Sequence, residues 1–467
     1  MKKTSTNQRS NLPTPGKDSA KFLTPVACAL LLAGLGGQSA PTATAQGQIF
    51  SGFVATNGSN PYANLCAGLN GDFYGTTTSG GTKGGYGTVF TVTTNGWLSS
   101  LASFDNTNGA DPQAGLALGT DGNFYGTTTG GGTNGGYGTV FRVTTNGTLT
   151  SLVSFANTNG AYPYSGLILG TDGNLYGTTY LGGSNGEGTV YKVTTDGVLT
   201  TLAAFANTNG ANPHTGLVRG NNGDFYGTTT SGGTNGGYGT VFKLTAQGLL
   251  VPLVSLANFD GAYPEAVLAA GPDGNFYGTT YYGGSNSLGT IFRVSTNGSL
   301  TSLVSFAGAN GANPMAGLTL GSDGHFYGTT YSGGDANLGT IFELTTNGSL
   351  TTLLSFAGTN GTYPHAGLTA GSDGNFYGVT AGGGSGGNGV VLKLVLPPTL
   401  NFQAVSNHWF QATLNGLARP SVQIQITTNW AASWSVLTNL VFTNGTGQFA
   451  DPVAANVPRK FYRVMVQ

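Results

Sequence analysis

The stretch "TDGNFYGTTTGGG" (residues 120–132) carries no group that performs chemistry unaided, yet close copies of it recur along the chain. Aligned on its tyrosine, the copies fall at Tyr74, Tyr125, Tyr176, Tyr226, Tyr277, Tyr327 and Tyr377, at intervals of 51, 51, 50, 51, 50 and 50 residues. A repeat of that length has the size of a propeller blade. Each unit holds four extended patterns, seen in the second copy as "AGLALG" (114–119), "NFYGTTT" (123–129), "GTVFRVTT" (138–145) and "TLTSLVSF" (148–155). Their β-branched and aromatic side chains suit a pleated, half-buried surface, and Asp-Gly, Gly-Gly and Asn-Gly punctuate them. Asp-Gly and Asn-Gly between strands predict two-residue hairpins with positive φ at both central positions. Each unit is therefore expected to be a four-stranded antiparallel meander.

The chain ends distinguish an open array from a closed ring. The seventh unit stops after its third strand, "GVVLKLVL" (389–396), at Pro397 and Pro398. The missing fourth strand stands at the other end: "GQIFSGFVATNGSNP" (47–61) aligns with "LTSLVSFANTNGAYP" (149–163), Phe53 matching Phe155 and Pro61 matching Pro163. Seven complete blades form only if this N-terminal strand joins the last blade, which also removes the exposed sheet edges of an open array. The fold class expected is all-β: a seven-bladed β-propeller over residues 46–396, closed by an N-terminal strand, followed by a small β-sandwich over 397–467.

All variation in repeat length falls in the glycine-rich loop between the second and third strands. Long loops carry a tyrosine late (Tyr86, Tyr137, Tyr238), and the shorter loops of copies three, five and six carry one early (Tyr180, Tyr281, Tyr331). Either tyrosine is expected to cover the same patch between neighbouring blades.

Composition agrees with a packed β protein: 82 of 467 residues are glycine, aromatics make up 11% and charged residues only 7%, which excludes a disordered, solvating chain. Residues 1–45 read as an export signal, with a basic region (Lys2, Lys3, Arg9, Lys17, Lys21), the apolar run "PVACALLLAGLGG" and the small-residue site "ATA" ending at Ala45. Cleavage there would start the mature chain at Gln46, the beginning of the closing strand. Without the leader, eleven Lys and Arg face sixteen Asp and Glu, a net charge of −5. That balance excludes a nucleic-acid or anionic-membrane partner. No later run is long enough to span a bilayer. Cys66 is then the single cysteine of the mature chain, so neither an intrachain disulfide nor a cysteine metal site is expected. A monomer in the periplasm, at the cell surface or outside the cell is expected.

The unit "GL.LG.DGNFYGTT..GG....GT(V/I)F..TTNG.LT.L.SF" resembles the GloVer tandem repeat over residues 47–396. That family occurs in exported bacterial proteins, so the resemblance implies location and architecture; it implies no activity and no binding residue. "DGN(F/L)YG" is also similar to propellers of the NHL and streptogramin-lyase type. The terminal "RKFYRVMVQ" lacks an apolar tail followed by basic residues, so the C-terminal anchor of some relatives is not expected. Residues 399–467 leave the repeat and alternate in short stretches such as "HWFQATL", "SVQIQITT" and "KFYRVMV". Through "IQITTNWAASWSVLTN" and "FYRV" they resemble C-terminal fibronectin-III-like modules of secreted bacterial proteins, with Trp434 expected in the core.

Within a uniform frame, specificity belongs where copies disagree. After the proline of "NGA.P" the units show Tyr62, Gln113, Tyr164, His214, Glu265, Met315 and His365. In a closed propeller the loops bearing them ring the mouth of the central channel. Tyr62, Gln113, Tyr164, His214, Glu265 and His365 supply aromatic faces and polar tips suited to a glycan or an envelope protein; drift at a tolerant position, favoured by Met315, is the alternative. His214, Glu265 and His365 form the one acid–base set from which a propeller-type lyase or hydrolase could be built. Gly-x-Ser-x-Gly, the phosphate-binding loop and His-Glu-x-x-His are all missing, and no cofactor or metal is expected. The aspartates Asp121, Asp172, Asp273, Asp323 and Asp373 read as turn residues, because a short turn cannot converge several oxygens on calcium. His325 reads as a surface substitution, and the row Arg142, Lys192, Lys243, Arg293, Glu343 and Lys393 as a solvated face.

Overall fold

The computed structural model describes residues 45–396 throughout and, beyond them, Ser433 and the strands Thr399–Gln403, Trp409–Asn415, Val422–Thr427, Ser435–Leu440, Thr446–Pro452 and Phe461–Val466. The expected leader up to residue 44 and Trp434 lie outside the described residues.

Seven four-stranded antiparallel sheets make up the repeat region. The second blade is representative: Ala117–Leu118 nearest the axis, then Phe124–Thr128, Thr139–Val143 and Leu149–Ser154 outward. The seventh blade takes Thr369–Ala370, Phe376–Thr380 and Val390–Val395 from the C-terminal side and Gln46–Gly52 from the N-terminal side. Gln46 pairs with Val395 and Gly52 with Val390, and a bulge between Ile49 and Ser51 matches the bulge between Val140 and Phe141 in blade two. The Phe53 N–H donates to the Gly389 carbonyl at 3.1 Å, as Phe155 donates to Gly138 at 3.0 Å. The ring is closed as the sequence implies.

Second strands hold the blades together. Phe124–Thr128 is buried at every residue. The motif tyrosine of one blade lies against the motif phenylalanine of the next: Tyr74 on Phe124 (4.1 Å between centroids), Tyr176 on Phe225 (4.5 Å), Tyr226 on Phe276 (4.3 Å), and Tyr277 on Phe326 and Tyr327 on Phe376 (both 4.4 Å). Tyr377 on Phe73, also at 4.4 Å, completes the circle. At the Tyr125 position, Leu175 replaces the phenylalanine in the same cluster. In blades one to six, two buried threonine hydroxyls bond across the second and third strands, as in Thr128 with Thr139 at 2.8 Å.

The hairpins differ from the two-residue turns expected. Positive φ occurs at Gly122 (76°) and not at Asp121, the Gly122 N–H donates to the Gly119 carbonyl at 3.1 Å, and the Gly119 N–H donates to the Asn123 carbonyl at 2.8 Å. This is a three-residue loop, a tight turn followed by one left-handed glycine. The aspartate side chain selects it: one oxygen accepts the Asn123 N–H (3.1 Å), the other the Asn123 amide (2.7 Å) and the Tyr125 hydroxyl (2.8 Å). The turn aspartate thus anchors the tyrosine that packs on the next blade.

Thr399–Gln403, Trp409–Asn415 and Thr446–Pro452 form one three-stranded sheet, and Ser435–Leu440, Val422–Thr427 and Phe461–Val466 another, the strand set of a small sandwich. Among the described residues no helix is long and apolar enough to cross a membrane.

One core position departs from the frame at a cost. Third strands carry Phe90, Phe141, Phe242, Phe292 and Phe342, but blade three has Tyr191, whose hydroxyl is buried without a hydrogen-bond partner. A buried unsatisfied hydroxyl costs about 1–3 kcal/mol. Tyr191→Phe is expected to stabilise the protein by about 1 kcal/mol, read as a higher midpoint in denaturant unfolding; an equal or lower midpoint would contradict the packing described.

Candidate functional site

In a four-stranded meander the connection between second and third strands and the connection to the next blade emerge at the same end. Isolated bridges join the two here, as between Ala110 and Gly130. Each connecting loop is seated by its proline on a glycine of the preceding blade. A Cβ added at Gly389 would lie 2.2 Å from the Thr380 carbonyl oxygen and 3.0 Å from Cδ of Pro61, and Gly138 stands in the same relation to Pro163. The residue after that proline follows directly on this fixed point.

The seven variable residues are all half-buried, and the structure brings several together. Tyr62 stacks on His365 with centroids 4.0 Å apart and planes at 14°. Tyr164 stacks on His214 at 4.6 Å and 22°. Asp111 accepts from the Gln113 amide at 2.9 Å and acts electrostatically on both Tyr62 and Tyr164, whose hydroxyls are pushed up chiefly by burial. Burial lowers both histidines to about 4; a hydrogen bond to the Glu265 backbone opposes this at His214, and proximity to His214 reinforces it at His365. Both imidazoles are therefore neutral at pH 7. Glu265 is pushed up to about 7 by burial. The ligand atoms of His214, Glu265 and His365 do not gather into a metal-holding group among the described residues.

Two residues deeper, the backbones close in. A Cβ on Gly115 would lie 3.2 Å from the Asn64 carbonyl oxygen, and one on Gly317 would lie 2.8 Å from that of Val267. The Asn64 side chain accepts the Gly367 N–H at 2.6 Å. Two residues beyond the variable positions, the backbones of neighbouring loops are therefore in close contact.

Sequence reasoning missed two further circles at this end. One is the residue before the proline: Asn60, Asp111, Tyr162, Asn212, Tyr263, Asn313 and Tyr363 all have φ between 52° and 57°. Asparagine and aspartate tolerate this left-handed region; for tyrosine it is an outlier costing about 1–2 kcal/mol. Where asparagine stands, its amide is used, Asn212 donating to the Tyr180 carbonyl (3.2 Å) and Asn313 to that of Tyr281 (3.0 Å). The other circle contains the early loop tyrosines. Tyr180 meets Tyr164 (5.3 Å) and His214 (5.9 Å), and Tyr331 meets His365 (4.9 Å) and Tyr363 (5.0 Å). Tyr281 feels the Glu265 carboxylate, though burial is the main cause that pushes its hydroxyl up to about 12. Among the late tyrosines, Tyr137 lies edge-on to Tyr162 at 5.9 Å and Tyr238 to Tyr263 at 6.4 Å, while Tyr86 is exposed. Early Tyr331 and late Tyr137 and Tyr238 thus meet the same position, the residue before the proline, and early Tyr180 and Tyr331 reach in addition the residue after it. The signal for both circles was in the copies, which vary there as they do after the proline.

The third-strand row is more than a solvated face. Lys393 pairs with Asp373 at 2.8 Å and Lys243 with Asp224 at 3.7 Å. Cys66 is half-buried, and burial pushes its thiol up to about 11, so it is not a nucleophile at neutral pH.

Two measurements follow from this geometry. Tyr263, 39% exposed, loses little burial on replacement, so Tyr263→Asn is expected to stabilise the fold by about 1 kcal/mol as the left-handed strain is relieved; a loss would mean that the ring's contacts outweigh the strain. Because the folded state favours protonated Glu265, its ionisation costs stability as pH rises from the ordinary carboxyl range through about 7. Glu265→Gln is accordingly expected to raise the thermal midpoint at pH 8 and leave it unchanged at pH 4.

The model of the Gloeobacter/Verrucomicrobia repeat matches residues 39–237 and 216–429. Searching curated proteins returns no match. Among solved structures the chain is similar to a gluconolactonase from Xanthomonas campestris (15% identity, 56% of this chain and 79% of that one, TM-score 0.37). It is also similar to a polysaccharide lyase described as an ulvan lyase (10%, 73% and 95%, 0.41) and to an alpha-L-arabinofuranosidase from Clostridium thermocellum (14%, 54% and 96%, 0.32).

Proposed function

The chain belongs to the Gloeobacter/Verrucomicrobia repeat family, and from that premise we propose that this member is an exported binding module whose channel mouth recognises a neutral glycan. A scaffold shared by seven copies carries no specificity of its own; the residues that differ between them do. The observation that carries the proposal is the pair of aromatic stacks, Tyr62 with His365 and Tyr164 with His214, which flank Gln113 in the order of the repeats. Tyrosine faces offer flat area to the C–H faces of sugar rings. A neutral imidazole has one donor and one acceptor; with the donor of His214 taken by the Glu265 backbone, its other nitrogen is left to accept from a hydroxyl. The charged residue that reaches these stacks is Asp111, and it disfavours uronates and other anionic sugars. The three left-handed tyrosines support the same reading, since bulky residues are held in strained backbone mainly at functional sites. The export signal over residues 1–45 and the inert Cys66 fit a site of action in the periplasm, on the cell surface or outside the cell.

A second, catalytic reading is favoured by one observation. Glu265, at about 7, is poised to give or take a proton at neutral pH, beside Tyr281, as a propeller-type hydrolase or lyase would require.

Calorimetric titration with neutral and uronate-containing oligosaccharides tests both readings. Binding of a neutral class is expected, weakened at least about tenfold, or 1.4 kcal/mol, by Tyr164→Ala or His214→Ala with the fold intact. Unchanged affinity in both variants overturns the mouth as the site. Release of reducing ends or unsaturated products by the wild type, lost in Glu265→Gln, replaces the binding reading with the catalytic one.

A further inference from the structure

At the opposite end of the propeller, blade six breaks a rule that its neighbours keep. In blade seven the turn aspartate Asp373 accepts from Asn375 (2.7 Å) and from the Lys393 ammonium (2.8 Å). An asparagine thus bridges the turn and a cation from the third strand neutralises it. In blade six the same three positions hold Asp323, His325 and Glu343. The cation has become a second carboxylate, and the amide has become an imidazole.

The strands bring these three changes to one point. Glu343 stands opposite Tyr327 in the sheet register, and its carboxylate contacts Nδ1 of His325. Nδ1 is also 3.8 Å from Asp323 Oδ2. All three ligand atoms lie within 4.8 Å of one another, with the imidazole 39% exposed and both carboxylates 26% exposed. The carboxylate of Asp323 is held in place from behind: Oδ1 accepts the His325 backbone N–H at 3.0 Å and Oδ2 the Tyr327 hydroxyl at 2.6 Å. Hydrogen bonding of a ligating carboxylate is what orients a metal ligand.

We propose that Asp323, His325 and Glu343 bind a divalent transition-metal ion of the zinc class. Two carboxylates and one imidazole match the oxygen and nitrogen donors such ions take, whereas calcium and magnesium need an all-oxygen shell. Binding through Nδ1 requires the neutral imidazole of His325 with its hydrogen on Nε2. The remaining coordination positions face water. No other described residues make such a group, because in every other blade the two turn places hold one carboxylate and one amide, and the third-strand place a lysine, arginine or threonine.

The neighbouring blade supplies a variant that keeps the fold: His325→Asn with Glu343→Lys rebuilds the arrangement of blade seven. Zinc chloride titrated into the metal-stripped full chain is expected to bind at one equivalent and raise the thermal midpoint. The double variant should bind zinc at least tenfold more weakly and show no rise, while His214→Ala, which alters the mouth, should behave as wild type. Calcium chloride should leave the midpoint of every form unchanged. The proposal is overturned if wild type binds no zinc, if the double variant binds it equally, or if calcium binds wild type and His325→Asn alike.

Discussion

The propeller depends on one contact made seven times: the motif tyrosine of each blade against the first hydrophobic residue of the next blade's second strand. An aromatic pair contributes about 0.5–1.5 kcal/mol beyond the area it buries, so no single contact decides the fold. Their arrangement in a circle does. Tyr377 reaches Phe73 only if the last blade is complete, and the last blade is complete only with Gln46–Gly52. The turn aspartate enters the same chain of cause, because it holds the hydroxyl of the tyrosine that packs on the next blade. In blades one and four the roles exchange, Asn70 and Asn222 donating to the tyrosine hydroxyls at 3.2 and 3.0 Å while Asp72 and Asp224 take the asparagine place. What is retained is one carboxylate and one amide around a tyrosine, whichever order they come in.

Much of this was legible from spacing and alignment. The Tyr-to-Tyr intervals marked the blades, the match of Phe53 to Phe155 marked the closing strand, and the disagreement after each proline picked out residues that stack on one another, Tyr62 on His365 and Tyr164 on His214. The turn type was not legible, because Asp-Gly allows two loop lengths and the choice is made by side-chain bonds to Asn123 and Tyr125. The contacts of Tyr180 and Tyr331 with the residue after the proline were not legible, because a one-residue change in loop length says how far the chain travels and nothing about where a side chain lands. His325 and Glu343 were set aside one by one as surface residues. They are 18 residues apart in sequence, and only the register of two strands shows that they meet.

The left-handed position before each proline shows how the frame tolerates a costly mouth. Proline already limits the backbone of the residue before it, and seating Pro61 against Gly389 or Pro163 against Gly138 leaves the loop one path. Asparagine meets that path at little cost and gains a hydrogen bond. Tyr263 and Tyr363 gain ring contacts instead, with Tyr282 at 6.1 Å and Tyr331 at 5.0 Å, yet they remain 39% and 38% exposed. Such contacts offset part of the strain and leave a face uncovered. Asparagine, the less strained alternative, stands at three of the same positions. The buried threonine pairs and the interblade stacks fix the loops from below, so the strain stays local to the mouth.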